Sequence, residues 1–134
     1  MSTTLLNGTP DQDVSAAMSG YMAKMLALKG KIGSDREFGE AALRRLLPIA
    51  MGNSGQSRRV AAVLLGCYNG SRFPLDLTNL RSLDYSILDD VLAVLRMDAN
   101  ALQEVHCYFE RGGRVFEKLA EDWGFNKAEE ADHG

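Results

Sequence analysis

The run Gly52-Asn53-Ser54-Gly55-Gln56-Ser57-Arg58-Arg59 sets a glycine-bounded turn before a helical pattern, with two hydroxyls and two guanidinium groups beside it. A helix N-terminus carries partial positive charge and unpaired N–H donors, so this arrangement suits an anion or an acidic partner. Arg44 and Arg72 are the further positive groups expected to join Ser57, Arg58 and Arg59 there. It is not a P-loop, because no Lys-Ser or Lys-Thr follows the second glycine and no buried strand precedes the first. The same turn also reads as a helix-turn-helix in which Gln56 to Arg59 open a recognition helix and reach base edges. Two features weigh against that: Pro48 near the end of the would-be first helix, and a Gly-Asn-Ser-Gly turn looser than the motif wants.

His106 and Glu110 lie four apart on a helical pattern, with Glu104 and Cys107 near, which sketches half a metal site or an acid–base pair. The only other histidine is His133, in the tail, so no ligand set forms and His106 is expected to be partly buried and bonded to Glu110 or to a backbone carbonyl. No Gly-x-Ser-x-Gly elbow occurs, and Cys67 precedes Tyr-Asn-Gly in a helix cap, so Ser-His-Asp and Cys-His catalysis are unsupported. Cys67 and Cys107 read as reduced core residues without CxxC spacing. The aromatic group Tyr108, Phe109, Phe116 and Trp123 reads as core, with a partner patch as the alternative.

Helices must position these residues. Thr9-Pro10-Asp11-Gln12 opens helix 1, over about Pro10 to Lys29, with Thr as cap, Pro at the first position and Gln at the third. Its apolar residues Val14, Met18, Tyr21, Met25 and Leu28 step by 4, 3, 4 and 3, a narrow heptad seam suited to one neighbouring helix. Gly30-Lys31-Ile32-Gly33 then reads as a hinge, and helix 1 as a self-association or partner-binding arm. Ser34-Asp35-Arg36-Glu37 has the capping-box pattern and launches a second helix, ended near Pro48. A third helix runs from about Gln56 to Tyr68. In Ser71 to Asp84 the leucines 75, 77, 80 and 83 imply a packed loop holding a short strand or a 3₁₀ turn. Asp84 caps a fourth helix carrying Ile87, Leu88, Val91, Leu92 and Leu95. Asp98 or Asn100 caps a fifth, with Leu102, Val105, His106 and Phe109; the last spans about Arg114 to Trp123 and stops at Gly124.

The chain of 134 residues is sized for one domain and one core. With 46% hydrophobic and 25% charged residues it needs neither disulfide nor metal staple. A net charge of −3 argues against a uniform basic face for nucleic acid. The charge is uneven, since Arg36 to Arg72 holds six arginines against two glutamates, and Asp98 to Gly134 nine acids against four bases. No signal-peptide pattern and no apolar run near the ~20 residues of a membrane span occur, so a cytoplasmic, non-membrane protein is expected.

Several stretches carry a likeness: Ala42-Leu43-Arg44-Arg45-Leu46-Leu47-Pro48; Ser54-Gly55-Gln56-Ser57-Arg58-Arg59-Val60-Ala61; Tyr68-Asn69-Gly70-Ser71-Arg72-Phe73-Pro74; Asp76-Leu77-Thr78; Gln103-Glu104-Val105-His106; and Glu121-Asp122-Trp123-Gly124. From about Phe38 to Phe125 the chain resembles an uncharacterised proteobacterial family, often encoded on plasmids and integrative mobile elements. The resemblance implies that setting and a shared module holding the arginine-bearing turn and His106. It implies no activity.

The sequence thus predicts an all-α fold, a bundle of five or six helices over residues 10–125, between a flexible segment 1–9 and a disordered acidic tail 126–134. Leu64, Leu92 and Phe116 are its expected core centres. The expected role is a non-enzymatic accessory or protein-interaction protein of a mobile element, with a small DNA-binding regulator as the rival. No cofactor and no metal is expected.

Overall fold

The computed structural model describes residues 10–125. The expected flexible segment 1–9, the Thr9 cap and the acidic tail from Asn126 lie outside the described residues. The fold is all-α: four α-helices, α1 (Pro10–Ala50), α2 (Gly55–Tyr68), α3 (Tyr85–Ala99) and α4 (Gly112–Trp123), with 3₁₀ segments at Leu77–Ser82 and Val105–Tyr108. Among the described residues there is no strand, and no helix is long and apolar enough to cross a membrane.

Helix α1 corrects the expected break at Gly30-Lys31-Ile32-Gly33 and the expected new start at Ser34, because it is continuous through both. Glycine in a helix costs about 1 kcal/mol relative to alanine but removes no hydrogen bond, so two glycines among good helix formers do not end it. Asp35, read as part of a cap, has another use: its carboxylate accepts from Asn100 Nδ2 at 3.2 Å and lies 3.9 Å from Arg96.

By contacts the chain falls into two units, Met1–Ser34 and Asp35–Gly134. In the first, every residue from Asp13 to Lys31 is exposed, including Val14, Met18, Tyr21, Met25 and Leu28. In the second, Ala42, Leu43, Leu46, Leu47 and Ala50 recur at helical spacing on the buried side of α1. Gly39 lets this part of α1 approach α3, because a Cβ there would overlap Met97 and sit 3.0 Å from the Ala93 carbonyl oxygen. Arg45 ties the same two helices with a two-pronged pair to Asp90, at 3.0 and 2.8 Å.

Helix α2 lies deepest, with Val60, Ala61, Val63, Leu64 and Leu65 fully buried. Helix α3 presents Val91, Val94 and Met97 to the core, and Phe116, Leu119 and Ala120 of α4 close it. The expectation for Leu92 is overturned, since it is 49% exposed. Each residue turns a helix by about 100°, so Leu92 stands a full step off the face that Val91 shares with Val94.

The expected fifth helix is a single 3₁₀ turn. Helix α3 runs on to Ala99 and absorbs the proposed Asp98 cap, and Ala101 then takes the left-handed region at φ 53°, which stops any continuation. Leu102 is exposed, His106 and Phe109 are half-buried, and of the expected face only Val105 is buried, joined by Tyr108 from outside it. Gly112 is buried where a Cβ would overlap the His106 carbonyl, so the close return into α4 requires glycine. Gly124 ends α4 as expected, at φ 74°, with Phe125 N–H donating back to the Ala120 carbonyl at 2.9 Å. Between Ser71 and Asp84 the 3₁₀ alternative holds. Asp76 caps it through Thr78 N–H at 2.9 Å, and Leu75, Leu80 and Leu83 pack on the core while Leu77 is exposed.

Leu64→Ala and Phe116→Ala should each destabilise the fold by about 2–5 kcal/mol in urea unfolding. Leu92→Ala should stay within about 1 kcal/mol of the parent; a core-sized loss there would put Leu92 back inside.

Candidate functional site

The N-terminus of α2 is built from its own side chains. Ser54 Oγ accepts from Ser57 N–H at 3.1 Å, and Ser57 Oγ accepts from Ser54 N–H at 3.2 Å. Ser57, expected among the anion-binding groups, is therefore buried and engaged in holding the turn. Gln56 is engaged too: its Nε2 donates to the Ser82 carbonyl at 2.7 Å and its Oε1 accepts from Asp84 N–H at 3.1 Å. That amide latches α2 to the entry of α3 and is not free to read a base.

The next two residues face a groove. Arg58, Arg59, Gly55, Ala62, Asn79 and Phe125 line a cavity of about 290 Å³. It adjoins a second of about 220 Å³ that shares Ala62, Asn79 and Phe125 and adds Leu65, Arg72, Phe73, Pro74 and Asp76. Ala62, Leu65, Phe73, Pro74 and Phe125 supply the apolar part of the floor, Asn79 and Asp76 its polar groups, and the α2 end of the rim is cationic. The Arg58 guanidinium carbon lies 4.7 Å from the Phe125 ring centroid and 6.0 Å from that of Trp123, a stacking that holds the charge in place without neutralising it. Trp123 itself donates from Nε1 to the Ala50 carbonyl at 2.8 Å, satisfying a carbonyl at the end of α1.

The other arginines of the expected site have partners within the chain. Arg44 pairs with Glu40 at 3.2 Å and donates to the Tyr108 carbonyl at 3.0 Å, beside a different surface pocket lined by Glu37, Glu40 and Ala41. Arg72 reaches the groove wall but grips Glu117 with two hydrogen bonds, at 2.6 and 3.0 Å. No carboxylate among the described residues pairs with Arg58 or Arg59. The structure thus gathers Arg58 and Arg59 with Arg72 along one groove and leaves Arg44 and Ser57 out of it. Sequence reading missed Asn79 and Phe125; the charge-rich turn gave no sign that a 3₁₀ segment and the second residue after α4 would complete the site.

His106 departs from expectation. Glu110 is exposed and forms no bond to it; Nδ1 is buried without a hydrogen-bond partner, Nε2 lies 3.6 Å from Cys107 Sγ, and the ring meets Tyr68 edge-on at 5.0 Å. Cys107 is exposed, not core, whereas Cys67 is half-buried with its thiol pushed up to about 12 by burial and by Asp98. Among the described residues no three His, Cys, Asp or Glu side chains gather as metal ligands would.

Residues 40–124 match a family described as a family of unknown function, DUF7673. The chain belongs to this family. No curated protein and no solved structure matches it. The stretch shared with DUF7673 spans Arg58, Arg59, Arg72 and Asn79 of the groove together with His106, ends one residue before Phe125, and leaves out the Val14 to Leu28 stripe.

The groove wall carries a pH-sensitive cluster. Hydrogen bonds from Arg72 and from the Tyr68 hydroxyl, the latter 2.6 Å away, hold Glu117 below its ordinary 4.5. The same bond, with burial, raises Tyr68 above 10.0. The depressed carboxylate stabilises the fold above its unfolded value, and that contribution is lost as pH falls through the folded value; the raised phenol stabilises below 10.0 and loses its share as pH rises. In chemical unfolding, the advantage of the parent over Glu117→Gln should stay flat from about pH 6 to 9 and shrink below about pH 4.5. Because the pair is half in solvent, it should not exceed about 1 kcal/mol. An advantage that grows in acid would contradict the assignment.

Proposed function

We propose that this protein is a non-enzymatic interaction protein whose groove beside α2 binds an acidic, partly apolar segment of a protein partner. The observation that carries the reading is the contrast among arginines. Arg44, Arg45 and Arg72 each face a carboxylate of the chain, whereas Arg58 and Arg59 stand on the rim of a cavity lined by Ala62, Asn79 and Phe125 with no carboxylate partner among the described residues. A cationic rim over a floor that includes Ala62, Leu65, Phe73 and Phe125 favours carboxylates spaced along a chain that also carries hydrophobic side chains. The setting proposed with it, a cytoplasmic accessory of a mobile element, is supported by the resemblance of Ala42 to Pro48, Ser54 to Ala61 and Tyr68 to Pro74 to proteins encoded there.

DNA reading is the weaker alternative, because Gln56 is latched to Ser82 and Asp84 and the formal charge of the chain is −3. The test measures anisotropy of a short labelled peptide of glutamate and leucine, and of a labelled DNA duplex, against the full chain and Arg58→Glu/Arg59→Glu. The peptide should bind, and the double reversal should weaken it at least about tenfold while helicity is retained. Unchanged peptide affinity in the variant would reject the groove. Tighter binding of the duplex than of the peptide would favour the DNA reading.

A further inference from the structure

The exposed face of α1 in the first unit has a chemistry of its own, independent of the groove. Val14, Met18, Tyr21, Met25, Leu28 and Ile32 step by 4, 3, 4, 3 and 4, the seam of a two-helix coiled coil, and the first five are exposed. With Met18, Met25 and Ile32 at the a positions and Val14, Tyr21 and Leu28 at d, the charged flanking e and g positions from Val14 to Ile32 are Lys24, Lys29 and Lys31. Gly20, Gly30 and Gly33 fall on the far side, where a Cβ would meet open space. An apolar seam whose charged flanks are all cationic, the other flanking positions being Ser15, Ala17 and Met22, selects its partner by charge. In a parallel pair of two copies, Lys24 would face Lys29 of the other; in an antiparallel pair, Lys24 and Lys31 would face each other. Both arrangements set like charges across the interface, and an acid-flanked helix replaces each repulsion with an attraction.

We infer that residues 14–32 of α1 dock an amphipathic helix of a different protein, apolar along its seam and acidic at its flanks, and do not pair with a second copy of this chain. The seam suits an adaptable contact, since methionine repacks against varied surfaces at small cost. The reading goes beyond the groove: it uses residues outside the family match, and reversing Arg58 and Arg59 leaves it untouched.

The probe is a synthetic coiled-coil peptide of about four heptads with isoleucine and leucine at a and d and glutamate at e and g, against the same peptide carrying lysine at e and g. Titrated with the full chain, the glutamate peptide should bind at least about tenfold more tightly than the lysine peptide. Lys24→Glu/Lys29→Glu/Lys31→Glu should invert that order. Met18→Asp/Met25→Asp should abolish binding while the melting curve of the rest of the chain is kept, and without peptide the parent should sediment as a monomer. Equal binding of the two peptides, or none of the glutamate peptide, overturns the inference. So does a parent dimer that Met18→Asp/Met25→Asp converts to monomer, which would assign the seam to a second copy. Binding to vesicles of anionic phospholipid that is lost in the methionine variant, with no preference between peptides, would assign it to a membrane surface.

Discussion

Everything in the Asp35–Gly134 unit depends on the burial of α2. Val60, Ala61, Val63, Leu64 and Leu65 are wholly enclosed, so this helix leaves the core little freedom and its polar ends must be satisfied locally. The reciprocal Ser54 and Ser57 bonds hold the entry, and Asn69 holds the exit: its N–H donates to the Leu65 carbonyl at 2.9 Å and its side chain accepts from Arg72 N–H at 3.1 Å. The Gln56 amide fixes the following chain against the first turn. What remains of α2 at its open end is the pair Arg58 and Arg59, and the groove follows from that geometry.

Charge is distributed by the same logic. Arg45 with Asp90 joins α1 to α3, Arg72 with Glu117 joins the chain after α2 to α4, and Asp35 receives Asn100 and Arg96. Such exposed pairs add little stability individually, but each specifies which helices meet. The arginine-rich stretch is therefore not one positive surface. It is a set of cross-links in which, among the described residues, Arg36, Arg58 and Arg59 are left without a carboxylate partner, and Arg58 meets the Phe125 and Trp123 rings as Arg36 meets that of Tyr108.

The local signals of the sequence carried far. The α2 and α4 helices, the stop at Gly124, the packed leucine segment and the arginine-bearing turn were all legible, because each rests on a few neighbouring residues: a breaker, a cap or an apolar repeat. Where the reading failed, a distant residue decided. Ser34 and Glu37 have the spacing of a cap, yet α1 runs through both, and Asp35 between them accepts from Asn100, far along the chain. The stretch from Asp98 to Phe109 has helical spacing, yet the return into α4 needs Gly112 against the His106 carbonyl and a left-handed Ala101. Leu92 belongs to an apolar run whose facing is set by Met97 against Gly39 of α1. Phe125 and Asn79 reach the groove only through tertiary packing, which no spacing around Arg58 announces.

The central claim is that Arg58 and Arg59 at the head of α2, which no carboxylate among the described residues pairs with, form with Asn79 and Phe125 the binding surface of this unit. Backbone amide shifts of the isotope-labelled chain, followed by NMR during titration with a peptide of glutamate and leucine, test it most directly. The account expects saturating shifts clustered at Gly55, Arg58, Arg59, Ala62, Asn79 and Phe125, with α3 and the Arg44 surface unmoved. Shifts centred on the Arg44 and Glu40 face, or spread evenly over all exposed basic residues, would contradict it.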